Sequence, residues 1–420
     1  MSSASFWYIL GDAYDLSDFK HPGGQAALQW SRGQDATFVM LSYHLANPKS
    51  LLQRLEPFKV DNLKRWDPFI AKIGKRRYET QEDRELILND PVLKIAKACV
   101  VESGQAACQI TSQAFVFVVV MALCSILAAF LVQWQRSILA SILWPIFHWL
   151  SAANIAHDAA HHAAFRHHEN LNTFWSYWSL PFLFEPRSWQ RQHNFSHHLH
   201  TNDLDLDVDT NYGPLTTLAR IDTDQKWFSH MPLTWSLFLF SQIFLTSFAE
   251  VVFMPLTKLH GTRSLIGPFS GCLVFLVPWV LRVETEAWTR TACLSCIPSI
   301  VASLIFIVVT QASHLSHQQL QVAQGPKGIL APGEWGRCQA LASLNYQPNS
   351  LLYTALTGGL NLQSVHHLLP FVHSWRLHKI WPLLQRRLKA LGIDLPEAPS
   401  LCCAFSSYVQ QLKLSSSNRS

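Results

Sequence analysis

Charge is scarce in this chain. Lys, Arg, Asp and Glu make up 15% of its 420 residues, against about 25% in an average soluble protein, so an ordinary water-soluble enzyme is a poor match. Nor does one sign dominate: the net charge is +5, and the basic residues are scattered or lie beside apolar segments. That excludes nucleic acid as a partner and leaves membrane-surface contact as their use. The nine cysteines show no disulfide-framework spacing, and several fall within apolar stretches. Cys293 and Cys296 have the spacing of a metal or redox pair, but without a second pair they read as packing residues. The N-terminus has neither a charged-then-apolar leader nor a long Arg- and Ser-rich transit segment, and a folded pattern begins by Phe6. The N-terminal part is therefore expected to stay cytosolic.

What the chain has instead is apolar length and histidine. Apolar residues reach 49%, and there are 20 histidines. Random placement of that many gives about one adjacent His-His pair, whereas the chain has four, starting at 161, 167, 197 and 366. Three clusters stand near long apolar stretches: His157-Asp-Ala-Ala-His161-His162, His193-Asn-Phe-Ser-His197-His198 and Gln363-Ser-Val-His366-His367. On a helix, His157 and His161 share a face, as do His193 and His197, so each pair can offer two imidazoles to one ion. Consecutive histidines diverge by about 100° on a helix, which suits two ions better than one. Imidazole binds zinc, copper, iron and nickel, so ligand type alone does not choose the metal. A structural zinc site needs only four ligands, usually with cysteine among them, and these clusters supply more. His148, His167, His168, His200, His230, His260, His373 and His378 read as ordinary polar or interface residues. His162 is left open.

Residues 6–60 form a separate, more polar segment. Short strands are expected at 7–10 and 13–16, followed by His21-Pro22-Gly23-Gly24, then Gly33-Gln-Asp35-Ala36-Thr37, then Tyr43-His44. This order closely resembles cytochrome b5, whose hallmark is an HPGG loop with a second axial histidine a little over twenty residues later. Here the interval from His21 to His44 is 23 residues. The Pro-Gly-Gly turn permits the tight backbone that presents the His21 imidazole to an iron, and short helices at 26–30 and 37–41 are expected to wall the pocket. The resemblance implies haem b held by His21 and His44. Two axial imidazoles leave no open position, so such a haem transfers electrons and binds no oxygen. One departure is a shortened approach, Asp18-Phe19-Lys20, before His21.

Residues 61–110 read as a linker and an interfacial helix. Residues 113–132 are long enough to cross a hydrocarbon core, a short polar turn at 133–136 follows, and 137–155 crosses back. The haem module and the first cluster then share one side. For the third cluster to join them, an even number of crossings must separate His198 from His366. Of the three apolar candidates, 267–281 and 293–312 are assigned as a hairpin with the far-side turn 282–290, and 233–253 is assigned to the membrane interface. A break at Pro181 makes 173–184 an interfacial or re-entrant piece. His314, at the end of the last span, is a further candidate ligand, preferred over His317.

Taken with the boxes HDxxH at 157–161, HxxxHH at 193–198 and QxxHH at 363–367, the chain resembles the membrane fatty-acyl desaturases, specifically the cytochrome b5-fused front-end group that also includes sphingolipid long-chain-base desaturases. Gln363 in place of a first histidine is characteristic of that group, and Leu369 departs from its usual Phe. The resemblance, over residues 6–395, implies a multi-span α-helical membrane protein with about four transmembrane helices plus interfacial helices and an N-terminal α+β haem domain. Its expected divisions are 1–60 (haem domain), 61–110 (linker and interfacial helix), 111–395 (desaturase domain) and 396–420 (tail). It implies two non-haem irons ligated by His157, His161, His193, His197, His198, His366 and His367, with His314 the added ligand. Gln363 is expected to hydrogen-bond within the site or complete the coordination, and Asp158 to orient a ligand imidazole. Abstracting hydrogen from an unactivated methylene needs a strong oxidant made from O2 and two external electrons, here relayed by the fused haem and ultimately from NADH through NADH-cytochrome b5 reductase. The implied substrate is a membrane lipid or acyl-CoA, and the implied location the endoplasmic reticulum membrane with both centres on the cytosolic face. A sphingoid-base desaturase, a hydroxylase on the same scaffold and a catalytically dead electron-transfer protein are the alternatives. The acidic run Asp203, Asp205, Asp207, Asp209 lacks the Gly and terminal Glu of a helical calcium loop and reads as a solvated loop.

Overall fold

The structure is a computed structural model, which describes residues 6–60, 80–104, 109–203, 207, 209, 246–256, 264–316, 319 and 331–417. At the N-terminus, strands Trp7–Ile9 and Asp12–Tyr14 pair antiparallel, with Trp7 opposite Tyr14. The two-residue turn between them, Leu10-Gly11, has positive φ at both positions, 49° and 85°, the geometry that matches strand twist in a tight hairpin. Helices Gln25–Ser31, Thr37–Tyr43 and Pro48–Leu55 complete this unit. The third begins at Asn47, whose side chain accepts the Lys49 amide, with Pro48 in the first turn.

This N-terminal unit shares its core with the rest of the chain. Trp7, Leu28, Phe38 and Leu41 belong to one buried cluster with Val92, Leu93 and Ala96 of helix Pro91–Glu102 and with residues of helix Ser374–Ala390. The latter buries Leu377, Ile380, Trp381, Leu384 and Leu388, a three-and-four spacing that lays one apolar stripe inward. Phe38 stacks on Trp335, ring centroids 4.9 Å apart and planes 13° from parallel. Helices Gln81–Leu88 and Pro91–Glu102 thus each bury one face in this core, while Leu86 and Val101 stay exposed and 61–79 lie outside the described residues.

Four apolar helices occupy the expected positions: Ser112–Gln133, Ile138–Ala152, Ile266–Val280 and the run Trp288–His314. Ser112–Gln133 buries Ala114, Val118, Ala122, Ser125 and Ala128, a stripe of mostly small residues that lets its neighbour approach closely. It turns Val116, Leu123, Ile126 and Leu127 outward. Only this helix and Trp288–His314, with 22 and 27 residues, are by themselves long and apolar enough to cross a membrane among the described residues. The other two have 15 residues each, about 22 Å of helix against a core of about 30 Å. The expected count of four spans is therefore matched in position by four helices and in length by two. Of the segment 233–253, only 246–253 fall within the described residues.

One ion pair ties the two hairpin tips together. Arg136 Nη2 lies 2.6 Å from Glu286 Oε2, and the Arg290 guanidinium donates to the Arg136 carbonyl oxygen at 2.8 Å. From this junction Ile138–Ala152 and Trp288–His314 run toward the histidine clusters, so the tips and the histidines lie at opposite ends of the bundle.

Candidate metal centre

The first cluster follows Ile138–Ala152 directly, on the short helix Ala156–Ala160, which brings the rings of His157 and His161 to 4.8 Å. The second begins where helix Pro186–Gln192 widens into a π-helical turn over His193–His197, with the His198 amide bonded back to the His193 carbonyl. That extra residue per turn brings position i+5 onto the face of position i, and His198 Nε2 sits 2.9 Å from His193 Nε2. The third cluster lies on helix Gln363–Leu368. It approaches the first because the preceding helix ends at Gly358, whose φ is 66° and where a Cβ would stand 2.4 Å from the Ala153 carbonyl oxygen. Only glycine accepts both conditions.

Two groups of imidazoles result. The ligating atoms of His157, His161, His193 and His366 all lie within 4.8 Å of one another, and so do those of His197, His314 and His367. His198 stands between the groups, stacked on His367 at 4.3 Å and with its ring 4.8 Å from those of His161 and His366. Every one of these histidines is buried. Nε2 of His157, His161 and His366 has no hydrogen-bond partner, an arrangement that burial penalises unless a cation accepts the lone pairs. Burial, and then the neighbouring imidazoles, push the pKa values of His161, His193, His198 and His367 well below the ordinary histidine value, which keeps them neutral and ready to ligate. The donor set therefore fits a pair of imidazole-ligated metal ions.

Hydrogen bonds outside the groups hold several rings in place. His367 Nδ1 meets the Gln339 side-chain oxygen at 3.1 Å, and His197 Nδ1 meets Asp207 at 3.1 Å. Asp158 Oδ1 is 3.4 Å from His157 Nδ1, while its Oδ2 accepts the Ser374 amide at 2.9 Å and lies 3.3 Å from His373 Nε2. Burial would raise the Asp158 pKa, but His373, His157 and Ser374 more than reverse that and hold it low. Gln363 brings its amide nitrogen to 2.8 Å from His314 Nε2 and 3.3 Å from His367 Nε2, leaving its oxygen without a partner. A cavity of about 80 Å³ opens onto the groups, with apolar walls that include Trp149, Leu183, Phe184, Trp189 and Phe306.

The second site lies in the N-terminal unit. His21 and His44 face each other with Nε2 atoms 3.4 Å apart. His44 Nδ1 is 3.0 Å from the Met40 carbonyl, so this ring donates there and turns its Nε2 lone pair toward His21. The Gly23 amide nitrogen lies 3.1 Å from His21 Nδ1, tying that ring to the Pro-Gly-Gly turn and leaving its Nε2 to face His44. Burial lowers the pKa of both rings. Around them is a cavity of about 790 Å³, ample for a porphyrin and lined mostly by apolar side chains. The residues present fit haem.

The sequence of residues 132–395 matches the fatty acid desaturase family, over more than half of the chain. The chain belongs to that family. Residues 2–64 of this desaturase match the cytochrome b5-like heme/steroid binding domain. Similar proteins include the acyl-lipid omega-13 desaturase of Chlamydomonas reinhardtii, 27% identical over 462 aligned positions that cover 97% of this chain and 92% of that one. The acyl-lipid (7-3)-desaturase of Rebecca salina is 27% identical, covering 96% and 89%. The Delta(5) fatty acid desaturase A of Dictyostelium discoideum is 23% identical, covering 96% and 88%. This desaturase is accordingly an oxidoreductase of a membrane family with a fused cytochrome b5 domain.

All eight histidines named from the sequence as possible metal ligands come together, together with Gln363. His162 does not join them: its ring packs on Trp30 at 4.5 Å, on the haem-cavity side. His317, like His230 and His260, lies outside the described residues. The reading of 203–209 as a solvated loop is corrected at Asp207, which is 1% exposed and bonded to His197; the alternating aspartates look alike in sequence and only packing separates them. Sequence reasoning also passed over Gln339, Tyr43 and Glu169. Each acts on a residue far away along the chain, and no local spacing marks such a partner.

Proposed function

We propose that this desaturase introduces a double bond on the carboxyl side of a fatty acyl chain held in a membrane lipid, using two non-haem irons and electrons relayed by its own haem. The observation that carries the reading is the pair of buried imidazole groups, with partnerless Nε2 atoms, at the wall of a narrow apolar cavity. In this reading His157, His161, His193 and His366 hold one iron and His197, His314 and His367 the other, with His198 between the groups and Gln363 beside the second. The acyl-lipid carrier rests on the names of the two similar proteins at 27% identity, and the front-end position on the chain's likeness to the cytochrome b5-fused group. Bound there, the irons would supply the reduction of O2 and the removal of two hydrogens from adjacent methylenes.

The protein's own part is orientation and exclusion. Trp149, Phe184, Trp189 and Phe306 wall the cavity and keep water from the methylenes, and Asp158, Asp207 and Gln339 fix the ring orientations. His21 and His44 would hold haem b, which with two imidazole ligands would supply one-electron transfer. NADH-cytochrome b5 reductase is the proposed upstream donor. Both centres face the cytosol from the endoplasmic reticulum membrane, with four crossings, a haem domain at 1–60, a connecting segment at 61–110, a desaturase domain at 111–395 and a tail at 396–420.

Metal analysis and product analysis test this together. The purified protein is expected to hold two non-haem irons and one haem, and yeast expressing it to gain a carboxyl-side alkene in fed fatty acids. His161→Ala should abolish the product while leaving the haem spectrum intact. A single zinc in place of iron would remove the reading, an alcohol product would favour a hydroxylase, and a new double bond confined to long-chain bases would transfer the activity to sphingolipids.

A further inference from the structure

The haem unit and the metal centre meet directly. Tyr43 is the last residue of helix Thr37–Tyr43, and the haem-side histidine, His44, is its covalent neighbour. Its hydroxyl oxygen lies 2.6 Å from Nδ1 of His161, a member of the first imidazole group, and its O–H donates to the Asn194 side-chain oxygen at 3.2 Å. The proton directions follow. A hydroxyl that donates to Asn194 accepts from His161 Nδ1–H, which leaves the His161 lone pair on Nε2, an atom with no hydrogen-bond partner of its own.

Other contacts fix this junction. Glu169, from the desaturase side, accepts the amides of Gln25 and Ala26 at 3.0 and 2.8 Å, capping the helix that follows the HPGG loop. Gly24 makes room: its φ is 102°, and a Cβ would fall 1.9 Å from the Glu169 carboxylate. The haem cavity is lined from both sides, by Tyr43 and His44 and also by His161, His162, Asn194 and Phe371.

We propose that Tyr43 is the positioning residue that couples the two centres, holding His161 in its metal-binding tautomer and providing the hydrogen-bonded link from the haem ligand His44 to the metal group. The inference rests on the haem and di-iron reading above. With both groups bound, each transfer would take one electron from haem, ferrous to ferric, and reduce one ion of the metal pair from ferric to ferrous; no protein bond would be made or broken, and Tyr43 would keep its proton. Covalent and hydrogen bonds carry electronic coupling better than a van der Waals gap, and His44, Tyr43 and His161 form an unbroken series of them.

The test uses the full-length protein loaded with haem and iron. Haem is pre-reduced, mixed with O2 and acyl substrate, and its reoxidation followed by absorbance. Tyr43→Phe keeps the ring and removes the oxygen. Its haem spectrum and iron content are expected to match the wild type, its reoxidation to slow at least tenfold, and its single-turnover product to recover when a small mediator reduces the metal pair directly. Asn194→Leu, which frees the hydroxyl to donate to Nδ1 instead, is expected to slow the same step. Wild-type reoxidation in Tyr43→Phe would overturn the proposal, as would a slowing fully explained by lost haem. A wild-type protein without two non-haem irons would instead sink the reading of the site, and that is measured before any variant.

Discussion

Asp207 puts one buried carboxylate against His197 Nδ1, the Asn202 amide and the Asp209 amide, at 3.1, 2.7 and 2.9 Å. Burial alone would lower the His197 pKa, but Asp207 and Asp209 override it and raise it to about 8. In the metal-free protein this pair therefore contributes stability that is fully present below the ordinary histidine value and is lost as pH rises through about 8. Metal binding has the opposite sign, because the ion must displace a proton: iron affinity at this position should fall about tenfold for each pH unit below 8. Asp207→Asn is expected to weaken iron binding about 10- to 100-fold with the haem spectrum unchanged, as read by chelator competition at neutral pH. Unaltered affinity would show that the ring needs no help from this carboxylate.

At the scale of elements, the second cluster shows what one π-helical turn does. In a regular α-helix His193 and His198 would point about 140° apart; over the widened turn they meet. The capping of helix Gln25–Ser31 is a comparable device, supplied by Glu169 from 144 and 143 residues away. Removing a side-chain cap costs about 1 kcal/mol, so Glu169→Ala should speed amide exchange at Gln25 and Ala26 about fivefold. Exchange unchanged at those two amides would mean that the haem unit is held by its shared core alone.

For the whole molecule, the Arg136–Glu286 junction joins the turn at 133–136 to the loop at 282–290, at the bundle end opposite the histidines. If the bundle crosses a membrane, both tips are on the far side, and the haem unit and metal group are together on the near side, because ligands on opposite faces cannot share a metal pair. An N-glycosylation acceptor placed in an extended loop at 282–290 is expected to be modified in cells, and one placed beside Asp203 is not. The reverse pattern, or modification of both, would break the single-site arrangement of the three clusters.

The histidine clusters, the HPGG loop and the apolar runs were legible because each is local: i, i+4 pairs, a glycine turn and a length of helix are written in consecutive residues. They determined the apolar helices, the facing pair His21 and His44 and the set of imidazoles that come together. Span length was less legible at Ile138–Ala152, where apolar residues continue to Ile155 past the end of the helix, whereas 267–281 already measures only 15 residues in the sequence. Partners across space were not legible at all. Which of four similar aspartates is buried on His197, that Tyr43 reaches His161 and that Glu169 caps a helix in another unit all depend on contacts between segments distant in sequence. Hydrogen bonds of that kind form only when packing has brought both groups out of water, so the tertiary structure alone decided them.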